Sequence, residues 1–72
     1  MDMKIYYEKL ADNIRIERAR KKISQQRLAI LSNVASDTIS KIERQVANPT
    51  LETLVSIALA LNVDLNTLLP LK

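Results

Sequence analysis

The stretch from Ile23 to Leu54, ISQQRLAILSNVASDTISKIERQVANPTLETL, admits few folds. It reads as two short amphipathic helices joined by the tight connection Ser32-Asn33-Val34, and so short a link forces the helices to cross beside each other. Leu28 and Leu31 before the link, and Ile39 and Ile42 after it, are spaced to bury against one another. Ser36, Asp37, Ser40 and Lys41 then remain on the outward, polar face of the second helix. A helix held this way is presented for insertion into something.

The rest of the chain carries the same spacing. Apolar residues recur at intervals of three and four, and no alternating strand pattern persists, so the expected fold class is all-α, a bundle of five helices. The first helix spans about Lys4 to Lys21, with Ile5, Leu10 and Ile14 on a face that continues to Arg18. Ser24 caps the second helix, Gln25 to Leu31 or Ser32, with Ile23 as a staple in front of it. The third helix, about Ser36 to Arg44, has Ala35 where a hydroxyl cap is wanted, and Ser36 is placed to take over. Asn48-Pro49-Thr50 breaks and caps again before the fourth helix, Leu51 to Leu61, whose circumference is apolar almost throughout and is therefore expected to be buried on more than one side. Asp64 caps a last helix, Leu65 to Leu69, which Pro70 ends. Glycine is absent, so Asn33 and Asn62 are the expected left-handed residues at the ends of helices two and four.

Seventy-two residues make one domain at most, 1–72, and a core this small is marginal unless a partner chain completes it. Cysteine and histidine are both absent, which removes thiolate nucleophiles, imidazole bases and the commonest metal ligands together. No catalytic set, metal, cofactor or small-molecule ligand is expected, and the chain does not read as an enzyme. No apolar run approaches the roughly 18 residues of a membrane span and the start lacks a signal-peptide pattern, so the default location is the cytoplasm. The net charge of +3 is unevenly spread. Arg15, Arg18, Arg20, Lys21, Lys22 and Arg27 crowd residues 15–27 against Glu17 alone, whereas residues 28–48 balance to zero. A positive field beside the helical pair suits a polyanion, and the bland alternative is a solvated basic face on helix one.

These residues resemble the helix-turn-helix family of phage repressors and Cro-type regulators, often called the XRE family. The resemblance rests on Ile14-Arg15, Arg18, Ile23-Ser24-Gln25, Leu28-Ala29, Asn33-Val34, Thr38-Ile39-Ser40-Lys41-Ile42-Glu43-Arg44, Asn48-Pro49-Thr50-Leu51, Leu54, Ala58, Ala60-Leu61 and Val63. It runs over about residues 10–69 in unbroken register, with the helix-turn-helix at about 24–44. Where the family has glycine at positions 22, 33, 45 and 62, this chain has Lys22, Asn33, Gln45 and Asn62. Lys22 and Gln45 would be strained there if φ is positive. The family's apolar residue at position 17 is Glu17 here, with Ile16 beside it, which suggests a slightly rotated first helix.

The resemblance implies a repressor-like bundle whose third helix enters the major groove of double-stranded DNA while the second crosses the backbone. Ser36, Asp37, Ser40 and Lys41 are then the expected base readers. Lys41 donates to guanine, and Ser36 or Ser40 donates or accepts. Asp37 either accepts from cytosine or simply favours the positive end of the third helix. Thr38 either touches a thymine methyl, contacts phosphate or borders the core. Gln25 at the start of helix two, and Arg44, Asn48 and Thr50 after helix three, are the expected phosphate contacts. Arg15 and Arg27 read as solvated charges. Arg18 and Glu43 are implied to be an internal ion pair tying helix one to the end of the reading helix.

The function expected is a sequence-specific DNA-binding transcriptional regulator, a repressor acting as a homodimer on a two-fold related operator. The terminal leucines, Leu59, Leu61, Leu65, Leu68, Leu69 and Leu71, either form the dimer contact or close the five-helix core. Two other readings stand beside it: a protein-interaction module such as an antitoxin, and a restriction-modification controller protein.

Overall fold

Side-chain capping sets where two of the helices begin, those that follow Ser24 and Thr50. The computed structural model describes residues 2–71, so the two end residues of the 1–72 span lie outside the described residues. Among the described residues there are five helices and no strand: α1 Lys4–Lys21, α2 Gln25–Ser32, α3 Ser36–Glu43, α4 Leu51–Leu61 and α5 Leu65–Leu68. Ser24 and Thr50 adopt extended backbone, and their hydroxyls accept from Arg27 N at 2.9 Å and Thr53 N at 3.1 Å. Each satisfies one of the amides that a helix start leaves unpaired. Ser36 does not take over as a cap. Ala35 keeps the capping position without any side-chain bond, and the Asp37 carboxylate in the first turn is what complements the positive end of α3. Asp64 likewise caps α5 through its carbonyl, which accepts from Thr67 N at 2.9 Å, and not through its side chain.

The helix ends are more uniform than the starts. At Lys22, Asn33, Gln45 and Asn62 the backbone turns left-handed, with φ of 57°, 58°, 63° and 56°. Each of these residues bonds the carbonyl three residues back, and the next residue bonds the carbonyl five back. This double closure is the Schellman motif, which consumes two orphan carbonyls and reverses the chain sharply. An aliphatic residue follows every time, Ile23, Val34, Val46 or Val63, and all but Val46 pack partly against the core. Asparagine tolerates this conformation because its short amide offsets the strain locally, but lysine and glutamine do not share that advantage.

The core collects Leu10, Ala11 and Ile14 from α1, Leu28 from α2, Ile39 and Ile42 from α3, Leu54, Ile57, Ala58 and Leu61 from α4, and Leu68 from α5. Asn13 secures the last of these by donating from Nδ2 to the Leu68 carbonyl at 3.0 Å. Several expected core positions are open instead. Ile5 is 49% exposed, because five residues at about 100° each carry it well around the helix from Leu10. Leu31 is 47% exposed. Its place is taken by Ser32, which lies one turn after Leu28 and returns its hydroxyl to the Leu28 carbonyl at 2.7 Å. Helix α1 is not rotated to bury Ile16. Glu17, seven residues after Leu10 and so in line with it, is the buried residue, and its carboxylate reaches the rim to accept from Arg20 at 3.1 Å.

Helix α4 also departs from expectation. It buries one face, Leu54, Ile57, Ala58 and Leu61, while Leu51, Val55 and Leu59, four residues apart, line an open apolar stripe. Leu61 and Leu68 are fully buried and Leu65 and Leu69 pack on the core, whereas Leu59 and Leu71 remain exposed. The leucine-rich end therefore serves both as core and as surface.

Removing the strain at a left-handed lysine should stabilise the fold. The conformation costs a non-glycine residue about 1–2 kcal/mol, and glycine's extra unfolded-state entropy takes back about 0.5–1 kcal/mol. Lys22→Gly should therefore raise stability by about 0.5–1 kcal/mol, a rise of a few degrees in melting temperature followed by circular dichroism. A melting temperature at or below that of the parent would refute the strain argument.

Candidate functional site

Helix α3 divides by depth. Ile39, Ile42 and Glu43 are buried, Thr38 and Ser40 are half-buried on opposite flanks, and Ser36, Asp37 and Lys41 are exposed. Arg44, at the helix end, is exposed as well and has no side-chain partner among the described residues. Asp37 and Lys41 lie one turn apart and touch, Nζ to Oδ2, at 3.0 Å. Both are well exposed, so the pair contributes little to stability and is readily exchanged for other partners. The outward ridge is thus Asp37, Lys41 and Arg44, with Ser36 and Ser40 displaced to one side of it.

That side faces α2. Ser36, Asp37 and Ser40 line an open notch together with Ser24, Gln25, Gln26 and Arg18. The Ser24 cap occupies the amide of Arg27, and the Leu28 amide bonds the Ser24 carbonyl, which leaves the amides of Gln25 and Gln26 without an intrahelical partner. The notch therefore offers backbone donors at a helix start, with hydroxyls opposite. The Gln25 side chain, read from sequence as a surface contact, is half-buried and donates from Nε2 to Glu43 Oε1 at 3.2 Å. Its backbone amide remains without an intrahelical partner beside the notch.

Glu43 is the centre of the arrangement. Its side chain is 3% exposed, and Arg18 holds it in a two-pronged bond, Nε to Oε2 and one terminal nitrogen to Oε1, both at 2.8 Å. The other terminal nitrogen of Arg18 donates to the Ile23 carbonyl at 3.1 Å. Arg15 approaches from the next turn of α1, with Nε 3.6 Å from Oε1 and a terminal nitrogen donating to the Glu43 carbonyl. Arg15 also reaches Asp12 at 3.2 Å. It is therefore no free solvated charge: it places a cation against the negative end of α3 and occupies one of its orphan carbonyls. Hydrogen bonding to Glu43 raises the Arg18 guanidinium above its ordinary value, against the opposing effect of burial, with the carboxylate's charge assisting.

The segment from α3 to α4 carries three further residues of interest. Thr50 is committed to α4, its hydroxyl accepting from Thr53 N and donating to Thr53 Oγ1 at 3.0 Å. Asn48 is exposed and its Oδ1 accepts from the hydroxyl of Tyr7 at 3.0 Å. Tyr7 was not singled out by sequence, nor was the structural duty of Arg15. The signal that could have found them is spacing: Tyr7, Ala11, Arg15 and Arg18 fall at intervals of four, four and three on one edge of α1, and Arg18 was already assigned to that edge.

Comparison with known proteins places this arrangement among relatives. The helix-turn-helix family model matches residues 14–68. Control protein C.SmaI of Serratia marcescens is 41% identical over 69 residues, covering 96% of this chain and 79% of that protein. Among solved structures, a hypothetical transcription factor, NHTF, from Neisseria superposes with a TM-score of 0.87 at 32% identity, covering 96% of this chain and 79% of that one. The restriction-modification controller protein C.AhdI from Aeromonas hydrophila superposes with a TM-score of 0.82 at 29% identity, covering 86% and 94%.

The two-pronged bond sets a stability prediction. Arg18→Ala strands a buried carboxylate and should cost about 3–5 kcal/mol, toward the lower end because Gln25 and Arg15 still reach Glu43, measured as a shift in denaturant midpoint. An unshifted midpoint would dismiss the pair as a structural tie. A group raised in the folded state contributes fully below its unfolded value and loses that contribution only as pH climbs through the folded one. The gap between parent and Arg18→Ala should accordingly not shrink on the alkaline side between about pH 6 and 10.

Proposed function

The chain belongs to the helix-turn-helix family of DNA-binding transcriptional regulators, and from that premise we propose a sequence-specific regulator acting as a homodimeric repressor on a two-fold related operator. The observation that carries this reading is the outward ridge of α3, polar along its length while its other face is locked into the core. In the major groove Lys41 donates to guanine O6 or N7, exchanging its weak partner Asp37 for a base. Ser36 and Ser40 read from the flank facing α2, and Thr38 works from the other. Asp37 chiefly favours the start of α3 and discourages like-charged approach. Around them, the amide of Gln25, the Arg44 guanidinium and Asn48 contact phosphates and fix the docking register, while the Thr50 hydroxyl, given to Thr53, serves the start of α4 instead.

One reading helix covers only a few base pairs, so specificity calls for two, about 34 Å apart in successive grooves. The stripe of Leu51, Val55 and Leu59 supports such pairing, because at 67%, 40% and 75% exposure it is the apolar face of α4 that none of the described residues covers. Packed on its own copy about a two-fold axis it makes a self-complementary contact. A patch of three side chains falls short of the roughly 800 Å² per partner of a durable complex, so pairing depends on protein concentration. Occupancy of the operator then follows protein abundance. No helix among the described residues is long and apolar enough to cross a membrane, and a cytoplasmic regulator fits that.

A second reading is favoured by the names of two relatives, a control protein and a restriction-modification controller. On this reading the chain activates as well as represses. A reporter driven by the selected operator separates the two, since a pure repressor never raises transcription at low protein concentration.

Selection of random duplexes against the purified chain tests the main reading: a two-fold related consensus is expected, and enrichment of nothing over random DNA would end it. Against that consensus, Lys41→Ala should lose about 1–3 kcal/mol and relax one base position, whereas Arg44→Ala should weaken all sequences alike and reduce the log–log salt slope by about one. If both bind as the parent does, α3 is not in the groove. Val55→Glu should leave a monomer by sedimentation, with half-site affinity retained; a persisting dimer would move the interface elsewhere.

A further inference from the structure

Among the described residues, Tyr7 is the one side chain of α1 that hydrogen-bonds the segment between α3 and α4. Its hydroxyl spans forty-one positions in sequence to donate to Asn48 Oδ1 at 3.0 Å. A carboxamide has an accepting end and a donating end, and phosphate oxygens accept only. Which end faces outward therefore decides whether Asn48 attracts or repels a phosphate. With Oδ1 occupied, the two N–H donors of Nδ2 are left for the exterior, and Nδ2 has no partner among the described residues. Pro49 adds backbone restriction, since the residue before a proline is confined to extended conformations. The anchor itself is firm. Tyr7 shares its edge of α1 with Ala11, which is fully buried, and with Arg15 and Arg18, which hold the end of α3.

We infer that Tyr7 is a positioning residue for DNA binding: its hydroxyl holds the Asn48 carboxamide with both N–H donors turned toward a backbone phosphate. This rests on the regulator reading above. Because one edge of α1 ties both Glu43 and Asn48, the distance between the reading helix and this phosphate contact is set by α1 and not by the intervening loop. Desolvation on docking strengthens the effect, since Oδ1 would otherwise be enclosed without a donor.

The test is a double-mutant cycle in the full chain, with Tyr7→Phe, Asn48→Ala and both together, titrated against the duplex selected by the parent and against random DNA. Tyr7→Phe keeps the ring and removes only the hydroxyl. It should weaken both duplexes about threefold to tenfold and leave the salt slope unchanged, because an amide releases no counterion of its own. In the Asn48→Ala background the same substitution should change nothing, and any loss of folding common to both backgrounds cancels in the cycle. Affinity equal to the parent's, or an equal loss with and without Asn48, overturns the positioning role. Arg44→Ala in the same titration separates this from the regulator reading. If it flattens the salt slope while Tyr7→Phe does nothing, only the inference about Tyr7 falls; if the parent prefers no duplex, both fall.

Discussion

The carboxylate of Glu43 is the constraint on which the rest of the molecule depends. It sits at the last turn of α3, almost wholly enclosed, and receives donors from α1 through Arg18 and from α2 through Gln25. A buried charge is tolerable only when its partners are complete, and here both oxygens are occupied. Three helices that share only a small apolar core are thereby held in one relative arrangement. Such polar ties are directional where apolar packing is not, so they suit a protein whose task requires one helix at a defined angle.

The same logic continues along α1. Its inner edge supplies Tyr7 to Asn48, Arg15 to the Glu43 carbonyl and Arg18 to the carboxylate, a row of contacts that follow α3 and the segment after it. The basic run at residues 15–27, which from charge alone suggested a field for a polyanion, is thus partly engaged in pairs within the protein. Arg15 and Arg18 are ties, while Arg20 pairs with the buried Glu17. Only Arg18 is largely enclosed, since Arg15 and Arg20 stay exposed though paired, and Lys21, Lys22 and Arg27 are exposed as well.

The two outward helices have opposite characters. Helix α3 shows charge and hydroxyls, as fits a hydrated, charged groove, and α4 shows a leucine and valine stripe, as fits a dry contact with another chain. The polar ridge and the apolar stripe thus lie on different helices of one core, which fixes the angle between them.

By itself the amino-acid sequence determined the helices and their ends, because these follow from local physics. Three-and-four spacing marked all five helices, Ser24 and Thr50 marked starts, and Asn33 and Asn62 marked left-handed ends. The family register also pointed to Arg18 and Glu43, and the geometry shows them joined at 2.8 Å. What tertiary structure alone decided was which side of each element found a neighbour. Ser32 and not Leu31 went inward because the crossing of α2 with α3 and α4 sets its buried line, and Glu17 and not Ile16 went inward because α1 turns the line of Leu10 and Ile14 toward α3, α4 and α5. The stripe on α4 stayed open since the bundle has no sixth helix among the described residues to cover it. Arg15, Gln25 and Tyr7 acquired their partners across 18 to 41 positions of chain. No pattern of nearest neighbours encodes contacts at that range, because they exist only once the helices are crossed.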